Sequence, residues 1–303
     1  MSAPSPVAPR QGALSQHPRS QRSLLLAVGV GTAVSVGLAA VVVSGLRQEP
    51  ASDGLLLRRP AIGWIREAAR TPSEQRDRTP APPSQPRWVS PLTRACPASD
   101  PVLRQHLSQM PLQIRKVRPD PSNYSTRRTR DAFGQAINPT PSVIVLHETV
   151  YGLQSAVNSV TTPHPNDDDQ ASYHTLVGLD GQIVKTVDPS QRAYGAGFSA
   201  FDGRWVFTNR RFSGSLNNFA LHVSLETPED GENSGPNHSG YTPAQYDALA
   251  RVIADWMVRY GIRPEAITTH RHVDLGGERA DPRSFDWTEL QRRLTALGLV
   301  CVR

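Results

Sequence analysis

Hydrophobic and polar positions divide this chain into an N-terminal half without a regular amphipathic period and a C-terminal half that has one. Residues 23–46, SLLLAVGVGTAVSVGLAAVVVSGL, carry no charged side chain and present no polar face. A helix rises ~1.5 Å per residue, so this run is long enough to cross a hydrocarbon core of ~30 Å. The pattern predicts a transmembrane helix. The run is longer than the apolar core of an ordinary signal peptide, although small residues such as Gly37-Leu38-Ala39-Ala40 still permit cleavage. Residues 47–95 then lose apolar periodicity. The stretch TPSEQRDRTPAPPSQPRWVSP at 71–91 is rich in Pro, Ser and Arg, which cannot bury a core and predicts a largely disordered linker with at most a short helix at 63–70.

Beyond residue 140 the pattern is that of an α/β domain. Val143-Ile144-Val145-Leu146 is a continuous apolar run and predicts a strand covered on both faces. Residues 172–185 read as a hairpin turning at Asp180-Gly181. ALHVSLE at 220–226 alternates as a strand, which places His222, Ser224 and Glu226 on one face. Thr242-Pro243-Ala244-Gln245 has the form of a capping box with proline in the first turn. Tyr246, Leu249, Ile253, Met257 and Tyr260 continue it as one apolar stripe, and Gly261 ends it. Ile267 to His270 predicts a short strand. Asp286 caps a last helix with Leu290, Leu294 and Leu297 turned inward.

Charge narrows the functional classes. The formal net charge is +6, the pI about 9.7 and the mean hydropathy −0.42, which excludes a polytopic membrane protein. The basic excess lies before residue 141 and the remainder is net acidic. The predicted domain therefore lacks the electrostatic footprint of a nucleic-acid binder, and no nucleic-acid partner is expected. Arg10, Arg19 and Arg22 precede the apolar run with no acid among them, which keeps that end in the cytoplasm and sends the rest out. The expected organisation is a basic cytoplasmic tail at 1–22, a signal anchor at 23–46, a Pro/Arg-rich linker at 47–95 and a folded domain at 96–303 with its core at 141–300. The two cysteines, Cys96 and Cys301, are too few for a disulfide scaffold or a four-thiolate zinc site. Outside the cytoplasm they can form one bond, and the alternative is two unpaired thiols.

Candidate chemistry gathers at predicted strand ends. His147 follows the apolar run directly, His270 follows Ile267-Thr268-Thr269, and Asp281 lies in the loop ADPRSFDW. Two imidazoles and a carboxylate suffice for a catalytic zinc site with its fourth position left for water. On the strand reading, His270 and His272 share a face, so either can be the second ligand.

Several pieces occur together and in one order: VIVLHET at 143–149, SYHTLVGLDGQIVK at 172–185, AYGAG at 193–197, NNFALHVSLE at 217–226, YTPAQYDAL at 241–249 and TTHRHVDLGGERADPRSFDW at 268–287. With these, residues 141–290 resemble the zinc-dependent N-acetylmuramoyl-L-alanine amidases of the type that includes peptidoglycan recognition proteins. The resemblance implies a mixed central β-sheet flanked by helices. It also implies hydrolysis of the amide between N-acetylmuramic acid and L-alanine in peptidoglycan. Zn2+ is the implied cofactor, on His147, His270 and Asp281, and Tyr173 matches a tyrosine near the metal that hydrogen-bonds the carbonyl oxygen. Three positions depart from the family's pattern. Ser224 stands where an IGIEL-like strand carries a catalytic Glu, so Glu226, ahead of Glu148, is the expected general base. Arg279 replaces a Lys and can stabilise an oxyanion but cannot donate a proton at working pH. Gly195 replaces the His of an AWHAG-like element and is expected to widen or reshape the cleft. The acidic run Asp167-Asp168-Asp169 is read as solvated.

The expected partners are a muramyl-peptide substrate and, through the N-terminal helix, the membrane, for a monomeric protein. The expected place is the bacterial cytoplasmic membrane with the domain facing the periplasm or cell wall, or secretion if the anchor is cleaved. The alternative function is a peptidoglycan-binding module of weak or no turnover. A third reading is a membrane-tethered basic adaptor whose functional part is the Arg-rich segment 47–140.

Overall fold

The computed structural model describes residues 78–301. The segments 1–22, 23–46 and 63–70 singled out above lie outside the described residues. Among the described residues, no helix is long and apolar enough to cross a membrane.

The apolar run becomes Val143–Glu148 (β3), buried at all six positions. It pairs in parallel with Ala220–Leu225 (β7) on one side and with Ile267–Thr269 (β8) on the other. Beyond β7 come Thr175–Val177 (β4), Ile183–Lys185 (β5) and Ile114–Lys116 (β1), giving a six-stranded sheet in the order β1-β5-β4-β7-β3-β8. Only the β4–β5 pair in this sheet is antiparallel, so the fold is mixed α/β with a central sheet. Strands buried on both faces carry no polar alternation, which is why β3 reads as an unbroken hydrophobic run. A small antiparallel ribbon of Tyr124–Thr126 (β2) and Gln191–Ala193 (β6) lies apart from this sheet in the pairing.

The helices are Pro101–Gln109 (α1), Leu153–Thr161 (α2), Pro243–Tyr260 (α3), the one-turn His270–Val273 (α4) and Trp287–Ala296 (α5). The capping box of α3 forms as its residues predict: Gln245 N–H donates to the Thr242 hydroxyl and the Gln245 side chain accepts from Thr242 N–H. Gly261 ends the helix in the left-handed region at φ 66°. Tyr246, Leu249, Ile253 and Met257 are buried in the main core with Ile144, Leu146, Leu221, Val223, Leu290 and Leu294. Each such side chain contributes roughly 1.5–3 kcal/mol on burial.

Two local expectations change and one left open is decided. Strands β4 and β5 are joined by a longer connection than Asp180-Gly181 alone, because Gly181 N–H closes a turn on Gly178 O while Glu226 accepts from Leu179 N–H. The linker expected to run to residue 95 is packed onto the domain from residue 78 onward. Gln85 donates to Ala200 O, Trp205 donates to Pro80 O, and Leu92 is fully buried in the main core. Its Pro-rich composition rules out a core of its own but not burial on one already formed. Cys96 and Cys301 are disulfide-bonded across a sequence separation of 205, with Cα atoms 5.5 Å apart. Of the two readings left open by the sequence, the bond is the one the structure contains.

Candidate metal centre

His147 is the penultimate residue of β3, and His270 is the first residue after β8. The two strands are adjacent and parallel, with Leu146 opposite Thr269, so both imidazoles leave the sheet side by side at its C-terminal edge. His270 opens α4 instead of extending the strand, and this corrects the shared-face reading of His270 and His272. The helical turn sends His272 away, onto Trp88 at 4.4 Å between ring centroids, with its Nδ1 against the Thr269 hydroxyl.

Asp281 is brought in by a loop whose shape is set locally. The Asp274 carboxylate accepts from the backbone N–H groups of Gly276, Glu278 and Arg279, and Arg271 N–H donates to Asp281 O. The Asp281 carboxylate lies 3.3 Å from His147 Nδ1 and 3.0 Å from His270 Nδ1. The three donor atoms fall within 4.8 Å of one another, close enough to share one ion. Burial alone would raise the Asp281 carboxyl, but hydrogen bonds and charge from His147 and His270 hold it well below the usual carboxylate range. Desolvation lowers His147 to about 4. An ionised carboxylate and a neutral imidazole are the forms that bind metal.

Tyr173 packs its ring 5.0 Å from that of His147. Burial first, and then the Asp281 charge, raise its phenol above the ordinary value, so the hydroxyl keeps its proton. Arg279 is exposed at the rim, and its positive charge reaches both His147 and Tyr173.

Both carboxylates expected to act as the base have hydrogen-bond partners of their own in this structure. β7 ends at Leu225, so Glu226 does not continue the face of His222 and Ser224. Its Oε1 accepts from Leu153 N–H at 2.6 Å, at the first turn of α2, and its Oε2 accepts from Leu179 N–H at 2.8 Å. Glu226 ties a helix start to a turn. Glu148 is buried beside His147 in sequence, but adjacent strand residues face opposite ways. Its Oε2 accepts from Tyr241 OH at 2.5 Å, His238 Nε2 at 3.0 Å and Arg283 N–H at 3.0 Å, and its Oε1 accepts from Arg283 Nε. In this structure both candidate bases thus carry a structural load, Glu226 on two backbone N–H groups and Glu148 on Tyr241, His238 and Arg283. Ser224, opposite His147 in register and fully buried, offers a hydroxyl in place of a carboxylate.

One residue near the centre was missed. His222 places Nδ1 3.0 Å from His147 Nε2. The signal that finds it is the joint reading of two departures: the IGIEL-like strand has Gly where this chain has His222, and the AWHAG-like element has His where this chain has Gly195. The cleft is not widened at Gly195, because the His222 ring fills that space.

A separate cleft of about 800 Å³ lies along residues 194–217 and is lined by Arg128, Arg192, Tyr194, Phe198, Arg210 and Arg211. Asp167 and Asp168 stand exposed at the same cleft.

Residues 137–284 match the family model described as N-acetylmuramoyl-L-alanine amidase. The 1,6-anhydro-N-acetylmuramyl-L-alanine amidase AmpD of Citrobacter freundii is 31% identical over 127 residues, 42% of this chain and 58% of that protein. The N-acetylmuramoyl-L-alanine amidase AmiD of Escherichia coli K12 is 27% identical over 169 residues, 52% of this chain and 55% of that protein. The chain thus spans somewhat over half the length of these curated relatives. Among solved structures, a selenomethionine AmpD derivative aligns with a TM-score of 0.44 at 26% identity, covering 60% of this chain and 98% of that one.

Proposed function

We propose, from the match of residues 137–284 to the N-acetylmuramoyl-L-alanine amidase family model, that this protein hydrolyses the amide between N-acetylmuramic acid and L-alanine in peptidoglycan, with zinc on His147, His270 and Asp281. The observation that carries the reading is the convergence of those three donors within 4.8 Å from two strand ends and one loop. Two imidazole nitrogens and a carboxylate oxygen match the donor chemistry of catalytic zinc, with one position left open. When bound, the ion supplies Lewis-acid polarisation of the scissile carbonyl and activation of water.

The chain's own residues then do the following. Asp281 stays ionised and His147 neutral, as ligation requires. Tyr173 keeps its hydroxyl proton and donates it as a hydrogen bond to the carbonyl oxygen as negative charge grows there. Arg279 adds a permanent positive charge on the same side. The arginines of the 800 Å³ cleft suit the carboxylates of a stem peptide. With Glu148 and Glu226 tied elsewhere, the acid–base assistance of roughly 10²–10⁴-fold that a free carboxylate supplies is missing, and slow turnover is expected.

That same observation favours a second reading, a peptidoglycan-binding module with little or no hydrolysis. Incubating the full chain with purified peptidoglycan, with and without chelator, separates the two. Chelator-sensitive release of stem peptide supports the amidase. Sedimentation with the wall but no release supports the binding module. Neither outcome refutes both and leaves the basic segment 47–140 as the working part.

The proposed setting is a monomer anchored by residues 23–46 in the bacterial cytoplasmic membrane, with the domain in the periplasm or wall, acting in wall remodelling or degradation and binding no nucleic acid. The Cys96–Cys301 bond supports an oxidising compartment. Fractionation tests it: recovery of full-length chain in the soluble cytoplasm would refute the placement.

A further inference from the structure

The structure assigns to His222 the part of a positioning residue: it fixes the imidazole of His147 with Nδ1 turned to the metal, in a space that Gly195 leaves open for it. The inference rests on the zinc reading above and goes beyond it, since His222 touches neither donor atoms nor substrate.

The argument starts from valence. His147 faces Asp281 through Nδ1, and its ring lies 4.6 Å from that of His270. When that nitrogen gives its lone pair to an ion, a neutral ring carries its proton on Nε2. His147 is completely buried, and a buried N–H without an acceptor costs roughly 1–3 kcal/mol. The acceptor present is His222 Nδ1, at 3.0 Å and itself completely buried. Metal-bound histidines commonly place their second nitrogen on a carboxylate, carbonyl or water. Here an uncharged imidazole serves: accepting at Nδ1 puts the His222 proton on Nε2, which is buried without a partner among the described residues. The unpaired N–H is thus moved one ring away from the metal ligand, and the geometry, not a saved hydrogen bond, holds His147 in place.

His222 can do this because it cannot turn away. It sits in β7, between β3 and β4. Its backbone N–H donates to His174 Nδ1 at 2.9 Å, and its carbonyl accepts from His174 N–H at 2.9 Å. The His174 ring stacks on it, with centroids 5.7 Å apart and planes 12° apart. His174 is held in turn beside Arg127, whose guanidinium donates to Asn218 O and Ala220 O. The result is a buried column from Arg127 through His174 and His222 to His147.

Gly195 closes the fourth side. A Cβ at this position would lie 2.6 Å from His222 Cγ and 2.7 Å from its Nδ1, inside any real contact distance. The neighbouring backbone is pinned, with Ala196 N–H donating to Asn217 Oδ1 and Tyr194 N–H to the Ser172 hydroxyl. The glycine cannot retreat, so any side chain there must displace the imidazole. His222 and Gly195 form a matched pair.

The test uses the metal itself. Zinc affinity of the full chain is measured by chelator competition, and the ligand field by the visible spectrum of the cobalt-substituted protein, for the parent, His147→Ala, His222→Leu, His222→Asn and Gly195→Ala. His222→Leu and Gly195→Ala are expected to weaken zinc roughly 10–100-fold and to shift the cobalt spectrum. His222→Asn is expected to stay within a few-fold of the parent, because its Oδ1 takes the place of Nδ1 as acceptor. Parental affinity and spectrum in both His222→Leu and Gly195→Ala, with zinc lost in His147→Ala, would overturn the role of His222 and leave the zinc reading standing. Failure of the parent to bind zinc, or unchanged binding in His147→Ala, would overturn the zinc reading instead. If His222→Leu does not fold, Gly195→Ala and His222→Asn decide: the role fails if Gly195→Ala binds zinc as the parent does or if His222→Asn loses as much as Gly195→Ala.

Discussion

Replacing Glu148 by Gln should unfold the domain more easily while leaving the chemical step nearly unchanged. The carboxylate accepts four hydrogen bonds, two of them from Arg283. Both side chains are close to fully buried, at 10% and 6% exposure for Arg283 and Glu148. The remaining guanidinium N–H groups go to Gly231 O, Asn233 O and Gly235 O, so the pair also fastens the loop before Tyr241. An amide of the same shape removes the charge and turns an NH2 against one set of donors. Breaking a buried ion pair on one side costs about 3–5 kcal/mol, a large share of the 5–15 kcal/mol that typically holds a domain together. At about 2–4 °C per kcal/mol for a domain of this size, Tm should fall by roughly 6–20 °C. Restoring neutrality with Glu148→Gln plus Arg283→Met should recover part of that loss. The assay is thermal unfolding of each variant, paired with stem-peptide release by the zinc-loaded protein well below its Tm. A hundredfold fall in kcat with an unchanged Tm would refute the structural assignment and return Glu148 to the reaction.

Glu226→Gln should likewise leave kcat within a few-fold of the parent and lower stability by about 1–3 kcal/mol, since one of its two charge-assisted bonds to backbone N–H is lost; loss of turnover at unchanged urea midpoint would contradict this. Reducing Cys96–Cys301, or replacing both by Ser, should cost about 2–5 kcal/mol, because the bond closes a loop of sequence separation 205; an unchanged Tm under reductant would show that the bond does not restrain the unfolded chain. Acid should destabilise the metal-free protein steeply. Burial lowers His147 to about 4, His174 to about 3 and His222 well below the ordinary imidazole range. Between about pH 6.5 and those values the unfolded chain takes up protons that the native state refuses, so stability falls as pH falls, by up to about 1.4 kcal/mol per pH unit for each imidazole. Urea midpoints from pH 7 to 5 check the sign, and a flat profile would show that these rings already protonate in the native state.

How much of this was legible in the sequence depends on whether a feature is set by neighbours along the chain or across it. β3 could be read because a strand covered on both faces is an unbroken apolar run, and the start of α3 because Thr242, Pro243 and Gln245 act on each other locally. His147 was placed at a strand end by the same run. His270 was harder: TTHRHV alternates like a strand, yet β8 stops at Thr269 and a helical turn follows, so periodicity alone could not choose between His270 and His272. The partners of the candidate bases were hidden for a different reason. Sequence shows that Glu148 adjoins a ligand and that Glu226 follows a strand, but not that Arg283, 135 residues away, claims the first and two backbone N–H groups claim the second. The packing of residues 78–95 was invisible for a like reason, since Leu92 is buried by a core built from later residues.

The electrostatics of the centre follow from which groups are left. The imidazoles behind His147 are neutral and buried, so they add polarity without charge. Asp281 is the negatively charged member of the donor set, and a divalent ion there keeps part of its charge. Arg279 adds to it from the rim. With a divalent ion bound, the field at this edge of the sheet would be positive on balance, which would stabilise an oxygen that gains negative charge and repel a protonated group. Such a field serves the bond-making half of amide hydrolysis. It does nothing for the proton that must reach the leaving nitrogen, which in the proposed reaction would need a separate donor. Partnered carboxylates and a retained donor set thus bear on different halves of the proposed reaction, so slow turnover and a complete set of ligands would be compatible in one site.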